Sequence, residues 1–203
     1  MHWRFKKINY DILIPQLGKN IFQLNEKEAE EYFRWFLDKI PERVAYVSHI
    51  CAMELGISED RMDCSPDSLL LLWKWFRRRA KTEPVVRTIE EKRRNSFPDN
   101  IWNNERQLTL ETEYILRDIG MYLGETFRKN NSAVYWTYYT KPRRDFFVNH
   151  PLLKGFIDRT FDTPFEASFE PIHMAGVQAA KIISNKSSDS DLLNIYKIWA
   201  EKV

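Results

Sequence analysis

Apolar residues recur at helical spacing through most of this chain and at strand spacing over one short stretch. Asn25 and Glu28 stand in a capping-box pattern, which satisfies orphan backbone N–H groups at a helix start. Ala29, Tyr32, Phe33, Phe36, Leu37 and Ile40 then share one face, the mark of a buried stripe. Leu24, before the cap, is placed to pack back near Ala29. Pro41 is expected to end this helix or open the next, because a proline inside a helix removes a hydrogen bond and crowds the preceding turn. A second helix is predicted from about Glu42 to Leu55, with Val44, Val47, Cys51 and Leu55 on one face and Gly56 as its C-cap. A third is predicted from Ser65, with Pro66 at its first position, Asp67 in its first turn and Leu69, Leu72, Trp73, Phe76 and Ala80 as its stripe. Arg77-Arg78-Arg79 suits the negative end of that helix.

Residues 82–104 lack a clear period. Val85 to Ile89 fits an extended piece or a lead-in to a short helix, and Phe97-Pro98-Asp99-Asn100 is a turn signal. A long helix opens at Thr109 or Glu111, with Leu110, Tyr114, Ile115, Ile119, Tyr122, Leu123 and Phe127 as its apolar face and Asn130-Asn131 closing it. The period then switches to two. Val134 to Tyr139 is predicted as a strand, Lys141-Pro142-Arg143-Arg144 as a turn, and Asp145 to Asn149 as a returning strand. The stretch holding Phe156, Phe161, Phe165 and Phe169 is expected to be irregular and to wrap a core. Glu170-Pro171 resembles a helix start, Ile172 to Ser184 a short helix, residues 185–190 a polar linker, and Asp191 to Lys202 a last helix. The fold class that follows is α+β, predominantly helical, with a small antiparallel sheet in the C-terminal half. One domain is expected, with a helical part over about 1–104 and a helix-strand-strand-helix part over about 105–203.

Composition narrows the function classes. The 43% apolar content argues for a packed core over disorder, and no apolar run approaches the ~20 residues of a membrane span. The N-terminal residues carry no apolar h-region, and two cysteines make no disulfide framework, so a cytoplasmic setting is expected. Six glycines are too few to suggest a phosphate-cradling loop. His49, Cys51 and Cys64 do not have metal-ligand spacing, so neither a metal nor a cofactor is expected.

Several residues could carry function. Glu111, Asp118 and Glu125 suggest an exposed acidic helix face, and Trp136 and Tyr138 an aromatic strand usable by a partner. Arg77, Arg78, Arg79 and Lys81, with Lys92-Arg93-Arg94 and Lys141 to Arg144 (Arg143 and Arg144 included), suggest a cationic surface for nucleic acid, with Trp75 as a stacking ring off the core stripe. The net charge of only +2 weakens that reading. Asp118 and Glu125 lie two turns apart, as paired carboxylates for acid–base work would, and His173 beside Glu170 is the best placed general base. An enzymatic pocket around Tyr122, Glu125, Trp136 and His173 therefore stays open, although no catalytic residue is assigned. Gly120 and Gly124 have the spacing that lets another element pack closely, a strand, a helix or a partner backbone.

The run from Asp118 to Glu125, followed by Trp136 and Lys141-Pro142, resembles a pattern in uncharacterised bacterial proteins, some of them similar to immunity proteins of toxin systems. The resemblance covers about residues 109–155 and implies a cytosolic protein that binds another protein without catalysis. The leading expectation is thus a protein-binding module acting by occlusion, ahead of a nucleic-acid-associated protein and an enzyme.

Overall fold

In a computed structural model, residues 8–86 and 105–203 are described. The first helix, α1 (Glu26–Leu55), starts as expected: the Asn25 side chain accepts from the Glu28 N–H at 3.0 Å, and Glu28 accepts from the Asn25 N–H at 2.7 Å. Gly56 closes it in the left-handed region, at φ 66°. The expected break at Pro41 does not occur, and α1 is one helix of 30 residues with the proline inside it. The reason lies in its buried face, where Ala29, Tyr32, Phe36, Ile40, Arg43, Val47, Ile50 and Cys51 keep one register across the proline. A mid-helix proline costs about 3 kcal/mol. Each large apolar side chain buried returns about 1.5–3 kcal/mol, so several of them together outweigh it.

The second helix, α2 (Ser68–Arg79), begins three residues after Ser65; Asp67 stands at its N-cap, and the Ser65 hydroxyl accepts from the Ser68 N–H at 3.4 Å. Two short strands follow, β1 (Thr82–Pro84) and β2 (Arg106–Leu108), paired antiparallel. The Lys92-Arg93-Arg94 cluster, the turn signal at Phe97 to Asn100 and Arg87 to Ile89 lie outside the described residues.

The central helix is α3 (Leu110–Asn130), whose N-cap Thr109 accepts from the Thr112 N–H. It is buried on almost every side, because α1, α4 (Pro171–Ile183) and the sheet all pack on it. Its glycines explain how. A Cβ on Gly120 would stand 2.6 Å from the Ile172 Cα, and one on Gly124 would overlap the Trp136 indole. The small-residue spacing thus admits both a helix and a strand.

The sheet corrects the expected strands. Only Tyr135–Thr137 forms β3, and residues 142–149 make turns; the Asp145 carboxylate accepts from the Phe147 N–H at 2.8 Å and from the Tyr139 hydroxyl. The partner of β3 is β4 (Leu152–Asp158), which pairs in turn with β5 (Phe165–Phe169), and β3 is an edge strand. The stretch expected to be irregular is therefore a hairpin. Its alternation is broken by a register shift between Leu153 and Phe156, with Gly155 at φ 100°, which hides the strand period.

The last helix is α5 (Asp191–Ala200). Phe156 and Phe169 meet Phe127 and Trp199 through ring contacts, and Phe127 meets Tyr196, so α5 closes the core over the hairpin. One buried cluster draws Val47, Trp73, Ile119, Phe156 and Tyr196 together from both parts of the chain. The fold is α+β and predominantly helical. No helix among the described residues is long and apolar enough to cross a membrane.

Candidate functional site

The acidic residues do not make an exposed face. Asp118 is buried, with its side chain 2% exposed, and takes Arg43 Nη2 at 2.6 Å, Arg43 Nε at 3.2 Å and the Tyr10 hydroxyl at 2.6 Å. Its position explains this: it stands three residues after Ile115 and four before Tyr122, on the buried side of α3. Glu111 is half-buried and pairs with Lys81 and Arg79. Glu125 is mostly covered, held by Arg128 at 2.9 Å and by the Trp136 indole N–H at 2.8 Å. Asp118 and Glu125 therefore have separate partners and share no acid–base geometry. Trp136 packs edge-on against Phe36, and Tyr138 is half-buried against Phe33.

The basic residues are divided in the same way. Arg79 is buried and pairs with Glu54, while Arg77 pairs with Asp189 and donates to the Ser187 carbonyl. Trp75 is buried too, with its N–H on Glu54 at 2.7 Å, so it offers no stacking face. Arg78 and Lys81 remain exposed, as do Arg143 and Arg144, although Arg143 donates to the Leu24 carbonyl at 2.7 Å. Of the four residues of the expected pocket, Glu125 and Trp136 meet. Tyr122 is buried against the start of α2, where its hydroxyl donates to Ser68 and accepts from the Cys64 N–H. His173 is exposed against Phe146 and Phe147, and its link to Glu170 is only the helix cap, made by its backbone N–H. Both cysteines are buried and free, and burial pushes the Cys51 thiol up to about 12.

A different constellation lies under the N-terminal segment. Residues 8–21 run as a strap across α1, α2 and α3. Three arginines, one from each helix, grip its carbonyls: Arg79 donates to Ile8, Arg43 to Asp11 at 2.7 Å and Arg117 to Leu13 at 3.0 Å. The Ile8 N–H donates to Glu54 and the Asp11 N–H to the Tyr46 hydroxyl. Burial and then the Asp118 charge hold the Tyr10 hydroxyl well above its ordinary range, so it stays a donor.

Beyond Leu13 the strap lifts. It arches over two adjoining cavities of about 580 and 520 Å³, which share Pro15, Leu17, Lys19 and Tyr32. The first is walled by α1 and is largely apolar, with Trp35 stacked on Tyr32. The second is walled by Tyr114 and Arg117 of α3, by His150 before β4, and by Glu170 and Ile172 at the start of α4. Gly120 is what brings Ile172, and with it Glu170, onto α3. Arg117 lies over the Tyr114 ring at 5.1 Å and has no carboxylate within ion-pair distance among the described residues. The Nε2 of His150 is buried without a hydrogen-bond partner, and its Nδ1 stands 3.9 Å from Glu170. Burial raises the Tyr32 hydroxyl above its ordinary value; the Arg117 charge opposes this and the Glu170 charge adds to it.

No protein-family model, curated protein or solved structure matches this chain.

Beside the second cavity, Phe22 and Phe146 come together on the surface. They are 43% and 62% exposed, with ring centroids 6.5 Å apart, and Phe22 also covers His150. Buried Asn149 holds the two segments in place by donating to the carbonyls of Ile21 and Leu24. Of these residues the sequence singles out Glu170 alone, as the neighbour of His173. For Arg43 the signal was present, since it falls three after Ile40 and four before Val47 on the apolar stripe. For Phe22, Arg117 and His150 no local pattern marks them; only the long-range packing does.

Proposed function

We propose that this chain is a protein-binding module whose contact surface is the Phe22–Phe146 pair with the basic turn beside it. The carrying observation is that two phenylalanines, far apart in sequence, are held side by side and left exposed. Leaving a phenylalanine in water forgoes about 1.5–3 kcal/mol of burial. A pair fixed by the Asn149 clamp recovers that energy on binding with little ordering cost, which is how aromatic anchors act in interfaces. The adjoining turn presents exposed Lys141, Arg143 and Arg144, so the partner is an apolar surface with an acidic rim. Occlusion of that partner's working surface, the mode that a resemblance to toxin-immunity proteins implies, is the mechanism attached to this reading.

The test compares the chain with a Phe22→Ser/Phe146→Ser variant and with Phe161→Ser/Phe165→Ser, which alters a second exposed aromatic pair on the β4–β5 hairpin. All three are used to capture protein from host lysate with and without nuclease. The reading expects one stoichiometric protein, kept by the hairpin variant and lost by the first. Equal capture by all three, or no protein at all, overturns it. Material that vanishes with nuclease favours the exposed basic residues instead.

A further inference from the structure

We propose that the cavity between α3, the start of α4 and the strap binds a small organic carboxylate with an apolar or aromatic body. Shape supplies the first argument. The cavity of about 520 Å³ has apolar walls at Pro15, Leu17, Ile21 and Ile172, and room for a ligand of one ring with a substituent.

Charge supplies the second. Among the described residues the Arg117 guanidinium makes one hydrogen bond, to the Leu13 carbonyl, and has no carboxylate partner. Its other N–H donors remain for a planar anion, which suits the fork geometry of arginine. The two buried arginines differ: Arg43 is matched by Asp118 and Arg79 by Glu54. Lys19, on the same wall, is already paired with Glu28 at 2.7 Å.

Polar groups with no partner supply the third. A buried nitrogen without a hydrogen bond is costly, and the His150 Nε2 is one. The Tyr32 hydroxyl likewise makes no hydrogen bond to a described residue, although Tyr32 lines the cavity and is buried. The Tyr32 hydroxyl is free to bond a hydroxyl or amine substituent of the ligand. Glu170 sets the charge limit. Its buried carboxylate lines the same cavity, so a doubly charged phosphate meets about twice the repulsion that a single carboxylate meets. This inference rests on the cavity alone and stands whether or not the Phe22–Phe146 surface binds a protein.

Calorimetric titration of the full chain with benzoate, its neutral isostere benzamide, and phenyl phosphate tests it. Benzoate is expected to bind, and benzamide and phenyl phosphate to bind at least about tenfold more weakly. Arg117→Met is expected to weaken benzoate by about tenfold or more. Since Arg117 also holds the Leu13 carbonyl, Leu17→Trp serves as a second variant: it fills the cavity from the strap side, leaves Arg117 in place, and is expected to abolish benzoate binding. Thermal unfolding confirms that each variant is folded. The proposal is overturned if benzoate binds more weakly than about 10 mM, if benzamide matches it, if phenyl phosphate binds more tightly, or if both folded variants bind benzoate as the parent does.

Discussion

The two ends of the strap are built on opposite principles. Over residues 8–13 the backbone is treated as a bound peptide, with arginines on the carbonyls of Ile8, Asp11 and Leu13, and the two buried ones, Arg79 and Arg43, matched by carboxylates beneath. Over residues 15–21 the chain arches across open volume, and among the described residues no backbone N–H of residues 12–19 donates a hydrogen bond. The contrast separates charges that hold the fold from charges left for something else. Arg43 and Arg117 come from adjacent helices and both reach the strap, yet only Arg43 is neutralised in place.

The largest effect is expected at the gripped end. Asp118→Ala leaves the buried Arg43 charge with only the exposed Asp11 carboxylate at 4.0 Å, and should cost about 3–5 kcal/mol in urea unfolding. Arg43→Met/Asp118→Leu removes both charges and should recover much of that loss. If Asp118→Ala costs no more than a surface substitution, the clamp is not what holds the strap. Next is the wall of the open end. Gly120→Ala gains about 1 kcal/mol of helix propensity but forces the Ile172 backbone away, for a net loss of about 1–3 kcal/mol and a weaker benzoate titration. An unchanged titration in a destabilised Gly120→Ala would detach the cavity from the α3–α4 contact.

Arg117→Met should cost at most about 1 kcal/mol of stability, because one hydrogen bond and no ion pair is lost. A loss equal to that of Asp118→Ala would erase the distinction between the neutralised Arg43 and the unpaired Arg117. The smallest effect lies far from the strap, where Lys202 and then Thr160 hold the Asp158 carboxyl below its ordinary range. A depressed carboxyl stabilises the fold above its unfolded pKa, and that contribution is lost as pH falls through the carboxylate range toward the folded value. Asp158→Asn should therefore flatten the acid side of a stability-against-pH curve and leave benzoate binding untouched.

Much of the fold is legible in the sequence because it is written locally. The Asn25–Glu28 box, Gly56, Thr109 and Glu170-Pro171 each mark a helix end by chemistry within a few residues, and each is found where expected. Pro41 misleads because its cost is local while the burial that outweighs it is spread along the whole of α1. The β4–β5 hairpin is hidden because the irregularity at Gly155 breaks the period-two signal. Asp118 looks like part of a solvated face only if its charge is weighed ahead of its place between Ile115 and Tyr122. The cavity is the least legible feature. Tyr32, Arg117, His150 and Glu170 lie on separate elements, each ordinary in its own neighbourhood, and only Gly120 hints that two of those elements touch.

Hydrogen exchange along the strap, with and without benzoate, bears most directly on the contrast between its ends. The Ile8 and Asp11 amides should be protected in both conditions, while those of residues 16–19 should exchange rapidly alone and slow when benzoate is present. Equal protection along the whole strap, or rapid exchange over residues 16–19 that benzoate leaves unchanged, would contradict it.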